Sequence, residues 1–125
     1  MSDAPCRSIA AILPCRDLDA STAFYKRLGL QLVSDHGSYR LLGDGAGWQL
    51  HLTSESPQEW LVPGQNPFGL YFYTDKVDEI AKAVHDAILG PVKAPIHKPW
   101  GMYEFAVSDP SDTLVRIGWP SRLIS

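Results

Sequence analysis

Cysteine is scarce in this chain. Cys6 and Cys15 are too few and too isolated to frame a disulfide-stapled domain or a zinc knuckle. They read as reduced thiols of a cytoplasmic protein. Long apolar runs are missing as well. The stretch from Ile9 to Leu13 is broken by Pro14, which makes it shorter than a signal-peptide core and far short of a membrane span. Positive charge is not in excess: 11 Lys and Arg face 14 Asp and Glu, a net charge of -3, which argues against a nucleic-acid partner. No glycine-rich loop precedes a helix, because Gly43, Gly45 and Gly47 fall between two strand-like runs, so a phosphate cradle is not expected. No serine sits on a strand-to-helix elbow, and a nucleophilic triad is not expected either.

What is present is an ordinary globular composition, 45% hydrophobic and 20% charged, over 125 residues, enough for one compact domain with a core. Its best-patterned stretch runs from Trp100 to Trp119. Two alternating runs flank the turn residues Asp109, Pro110, Ser111 and Asp112. Strand side chains alternate between faces. Tyr103, Phe105, Val107, Val115, Ile117 and Trp119 therefore make an apolar face, and Met102, Glu104, Ala106, Leu114, Arg116 and Gly118 the other. A carboxylate and a guanidinium on an otherwise apolar face mark a place for a ligand. The pair is either a self-satisfied structural ion pair, or it offers a carboxylate to a cation or a guanidinium fork to an anion.

Earlier in the chain, residues 8–13 read as a strand stopped at Pro14, and Asp17 or Asp19 caps a helix that Gly29 ends. Strands follow at 30–34, 39–42 and 48–53, the last with Trp48, Leu50 and Leu52 on one face and Gln49, His51 and Thr53 on the other. The proline-bearing segment 54–67 is a linker, and Trp60 within it is exposed or covers something. The programme then restarts. A strand at 70–74 leads to Asp75, which caps a helix with Val77, Ile80, Ala81, Val84 and Ile88 at the 3.6-residue period, ended by Gly90. Residues 92–96 read as a short edge strand before the hairpin. Tyr71 and Tyr73 are expected in the core.

The order strand, helix, three strands thus occurs twice, which is the signature of a duplicated module. The reading is an α+β domain over residues 1–125, with module one at about 6–53, a linker at about 54–67 and module two at about 68–120. Two such βαβββ sheets side by side would curve into a U-shaped mixed sheet with the helices outside.

The segment from Asp17 to Tyr25, followed by Arg27, Leu28 and Gly29, resembles the opening signature of the vicinal-oxygen-chelate superfamily. That superfamily includes glyoxalases, extradiol dioxygenases and bleomycin-resistance proteins. Asp109-Pro110 and the strand from Leu114 to Ile117 are similar to its closing signature. Pro99-Trp100-Gly101, ahead of Glu104-Phe105-Ala106, looks most like the bleomycin-resistance branch. Asp112 stands where the family turn usually has glycine, and Asp tolerates the left-handed backbone such a turn needs.

The resemblance implies a homodimer and, in catalytic members, metal ligands on four strands. Carried over, those positions are Ala10, His51, Leu70 and Arg116. Only His51 can ligate a divalent metal, and one imidazole is not a metal site. Neither a metal, a cofactor nor a catalytic residue is therefore expected. The same face, extended to neighbours two residues along, gives Ala10, Ile12, Gln49, His51, Leu70, Phe72, Met102, Glu104, Ala106, Leu114 and Arg116. Its expected ligand-binding residues are His51, Gln49, Phe72, Trp100, Met102, Glu104 and Arg116, with Trp60 as a further aromatic. The expected function is sequestration of a bleomycin-like antibiotic or related natural product in a homodimer groove. The alternatives are a metal-dependent glyoxalase-like lyase or dioxygenase, and a metal-free acid–base enzyme using Glu104 and His51.

Overall fold

The computed structural model describes residues 7–62 and 64–124, so Cys6 lies outside the described residues. The first sheet is built of β1 (Ala11–Pro14), β2 (Gln31–Asp35), β3 (Tyr39–Gly43) and β4 (Gln49–Thr53), in the spatial order β1-β4-β3-β2. The second is built of β5 (Gly69–Tyr73), β6 (Ile96–His97), β7 (Met102–Ser108) and β8 (Leu114–Pro120), in the order β5-β8-β7-β6. The first strand of each set runs parallel to the last, and the other pairs are antiparallel. The α+β class and the repeated βαβββ order are as the sequence predicts. The curved sheet is divided in two, however, since no ladder joins the sheets among the described residues.

Helix α1 (Leu18–Arg27) begins because the Asp17 carboxylate accepts the Ala20 N–H at 3.0 Å. It ends at Gly29, whose φ of 110° is open to glycine and strained for other residues. The Leu30 N–H reaches back to the Tyr25 carbonyl and the Gly29 N–H to that of Lys26, which satisfies two end carbonyls. Arg40 on β3 fastens the helix to its sheet through the Asp19 carboxylate and the Thr22 hydroxyl. β1 stops at Pro14 as expected, with the proline as its last paired residue. β1 is an edge strand, where a missing N–H costs no ladder bond.

Helix α2 (Val77–Ala83) is shorter than its apolar period suggests. The backbone leaves helical geometry at Val84 (φ -118°, ψ 24°) and passes through a 3-10 turn at His85–Ala87. Val77, Ala81, Val84 and Ile88 are nonetheless all buried, so the period reports the packed face rather than the helix length. Asp75 is not its cap; Lys76 holds that place without a side-chain hydrogen bond. The edge strand expected at 92–96 is reduced to Ile96–His97.

One hydrophobic cluster takes residues from both sheets and both helices, including Leu13, Tyr25, Leu50, Leu52, Phe72, Val84, Val115 and Ile117. Across it, the Tyr25 hydroxyl of α1 donates to the Asp109 carboxylate at 2.7 Å. Asp109 also accepts the N–H groups of Ser111 and Thr113 and so shapes the β7–β8 turn. Asp112 adopts φ 66° in that turn, as anticipated. No helix among the described residues is long and apolar enough to cross a membrane.

Candidate functional site

Each sheet has one face in the core, and residues paired across a ladder share a face. On the second sheet, Tyr71 stands opposite Arg116, which stands opposite Ala106, while Gly118 stands opposite Glu104. The hairpin faces are therefore those read from the alternation. Phe105, Val107, Val115 and Ile117 are buried in the core, and Glu104 and Arg116 lie on the other side.

The β5 assignment is overturned. Phe72 stands opposite buried Ile117, is 8% exposed, and packs on Trp48 and Tyr25 with ring centroids 4.8 and 6.4 Å apart. Leu70 packs on the same core. Tyr71 and Tyr73, expected in the core, stand on the face that carries Arg116. A one-residue slip exchanges every side chain between faces, and the run Gly-Leu-Tyr-Phe-Tyr is apolar or aromatic on both. Its own pattern could not choose.

The Glu104 carboxylate is the centre of the site, with the residue only 2% exposed. Its Oε1 accepts the Trp100 indole N–H at 2.8 Å and the Tyr71 hydroxyl at 3.0 Å. Its Oε2 accepts from Arg116 Nη1 at 3.3 Å. Three donors make a buried carboxylate tolerable. Tyr71 spans from β5 to β7 because the residue between them is Gly118. A Cβ there would collide with the Tyr71 hydroxyl and lie 2.7 Å from Glu104 Cβ. Burial, and then the hydrogen bond to Glu104, push the Tyr71 phenol well above its ordinary range. It stays a protonated donor.

Trp100 is positioned by a tight turn in which the Gly101 N–H bonds the Lys98 carbonyl, with Pro99 at the position where its fixed φ suits a turn. The indole is 57% exposed although its N–H is anchored. The Lys98 ammonium and the Arg116 guanidinium each lie 5.7 Å from its ring centroid. Beside this cluster is a cavity of about 270 Å³ lined by Lys98, Trp100, Glu104, Arg116 and the apolar residues from Ile88 to Ile96.

On the first sheet, His51 stands opposite Ile12 and Leu41, and its Nδ1 is 2.7 Å from the Tyr39 hydroxyl. With Gln49, Leu41 and Trp48 it lines a second cavity of about 630 Å³. The structure thus brings Trp100, Glu104 and Arg116 together and sets His51 and Gln49 at another cavity. Met102 is half-buried at the start of β7, and Trp60, 57% exposed on the 3-10 turn Gln58–Leu61, lines neither cavity. Sequence reasoning missed Tyr71, Gly118, Lys98 and Tyr39. A glycine on the even face of a long strand was the one signal for the first two, since it leaves space for a neighbour to cross.

At the four positions carried over from catalytic members, the side chains do not make a divalent-metal site. Ile12 adjoins His51, a protonated phenol adjoins Arg116, and the guanidinium has no lone pair to give. Among the described residues, no group of three or more His, Cys, Asp or Glu could hold an ion.

A family model for the glyoxalase-like domain matches residues 9–121. The chain belongs to that family. Among glyoxalase-like proteins it is similar to a bleomycin resistance protein of Klebsiella pneumoniae, 29% identical over 117 residues covering 84% of this chain and 86% of the relative. The crystal structure of a bleomycin-binding protein complexed with bleomycin superposes with a TM-score of 0.74 at 25% identity, covering 92% of this chain and 98% of that one. A lactoylglutathione lyase from Agrobacterium tumefaciens superposes with a TM-score of 0.65 at 26% identity, covering 95% and 97%. The glyoxalase-like fold is thus shared by binding proteins and a lyase, and the site has to separate the two.

Proposed function

We propose that the protein is a metal-free small-molecule binding protein that sequesters an antibiotic or related natural product, as the bleomycin-binding relative binds bleomycin. The observation that carries this reading is the Trp100–Glu104–Arg116–Tyr71 cluster. It presents an exposed aromatic ring held rigid by a buried carboxylate, with Arg116 at a position where a catalytic relative would need a metal donor. Capture is stoichiometric, and nothing is turned over. A second copy of the chain covers the open sheet faces and completes the groove. Exposed Ile12 and Tyr73, 58% and 59% accessible on those faces, support this pairing.

Titration with bleomycin, followed by tryptophan fluorescence, tests the drug assignment. Saturable quenching at micromolar concentrations, lost in Trp100→Ala, is expected; an unchanged spectrum removes bleomycin from the candidates. The lyase-like neighbour keeps a second reading in view. Metal analysis of protein purified without chelator decides it, since one tightly held ion per chain with His51 among its ligands would replace capture by catalysis.

A further inference from the structure

The cluster at Glu104 has a polarity that the overall net charge of -3 conceals. Among the described residues, Glu104 is the one acidic residue lining the cavity beside Trp100, and its two oxygens are occupied by three donors. A residue 2% exposed and so engaged has nothing to offer a cation. The cationic groups are in the opposite condition. The Arg116 side chain is 40% exposed, and among the described residues its pairing with Glu104 is the only hydrogen bond the guanidinium makes. Lys98 joins none of the ion pairs among the described residues. Both lie against the Trp100 ring. The charged lining among the described residues therefore sums to one unit of positive charge, presented at an aromatic surface.

The rest of the wall is apolar and open to solvent: Leu89, Val92 and Ile96 are 47%, 53% and 40% exposed. About 270 Å³ is at the small end of ligand cavities. It admits a compact group, alone or as one part of a larger molecule. We propose that this cavity selects a small planar apolar anion, an aromatic carboxylate in the first instance. Its charge lies between Arg116 and Lys98, and its body lies against Trp100, Leu89, Val92 and Ile96. The proposal rests on the binding-protein reading and names the ligand chemistry of the same site. The Arg116 fork supplies direction, because a planar guanidinium matches the two oxygens of a carboxylate. Lys98 supplies charge without direction.

Calorimetric titration with three probes of one shape, naphthoate, naphthamide and naphthylmethylammonium, tests it on the full-length protein. Naphthoate is expected to bind about ten-fold more tightly than either of the others, as one hydrogen bond between charged groups warrants. Lys98→Glu, a substitution on a turn outside the core, should abolish or invert that order. Arg116→Lys should weaken naphthoate while keeping its preference over the ammonium probe. Equal affinities, tighter binding of the ammonium probe, or an order unchanged in Lys98→Glu each overturn the proposal. If bleomycin binds and naphthoate does not, the anion proposal fails while the sequestration reading stands. If naphthoate binds with the expected order and bleomycin does not, the anion proposal stands and the bleomycin assignment falls.

Discussion

Glu104 shows how one residue's neighbours change its chemistry. In the sequence it is a carboxylate near an arginine, open to three uses. In the fold it is a buried acceptor for Tyr71, Trp100 and Arg116, and its task is to hold an exposed indole still. In Glu104→Gln one amide oxygen must serve donors that had two, and the amide N–H₂ faces them as a further donor. Chemical denaturation should show a loss of about 2 kcal/mol, the worth of hydrogen bonds to a charged group. Trp100 quenching by any bound ligand should weaken with it. Tyr103 offers a test on the opposite face. Its hydroxyl donates to the Asp78 carboxylate at 2.6 Å, and that bond, followed by burial, pushes the phenol up to about 12. A raised folded-state pKa stabilises fully below the unfolded value of 10.0 and loses that contribution as pH rises through about 12. Alkaline spectrophotometric titration should therefore show one fewer late-ionising tyrosine in Tyr103→Phe, whose stability should fall less than that of the native chain across the same window.

Among the elements, the hairpin β7–β8 was legible because one of its faces is uniformly apolar, so alternation alone sorts Phe105 and Ile117 from Glu104 and Arg116. β5 was not, since Leu70, Tyr71, Phe72 and Tyr73 give both faces something to bury. Only pairing with β8 places Tyr71 beside Arg116. Gly118 is the joint between the two strands. Gly118→Ala should cost about 1–3 kcal/mol, the range for overpacking a filled site, because the added methyl displaces the Tyr71 hydroxyl from Glu104. A lowered Tm together with a lowered Tyr71 pKa is the expected pair of readouts; a tolerated alanine with the phenol unmoved would mean that the crossing does not depend on the glycine. Helix α2 shows a related limit. Its apolar period runs through Ile88 because the packed face does, although the backbone turns 3-10 after Val84.

For the whole molecule, both modules contribute to one core, and the Tyr25–Asp109 hydrogen bond joins α1 of the first to the closing turn of the second. Each sheet is left with an uncovered face, and the proposed second copy would cover it. Ile12→Asp places a charge on that face without touching the core. Sedimentation should show the native chain as a dimer and the variant shifted towards monomer, with its secondary structure unchanged. A native chain that sediments as a monomer throughout would leave the groove to a single copy.

The sequence by itself determined the repeated βαβββ plan, an aspartate cap at 17 or 19, the Gly29 stop of α1 and the faces of the hairpin. Each rests on local chemistry or on a period that a short stretch displays completely. Tertiary structure decided which face Tyr71 and Phe72 take, which donors saturate Glu104, and that Lys98 shares the Trp100 ring with Arg116. These depend on register between strands distant in the chain. No pattern within one strand carries that information.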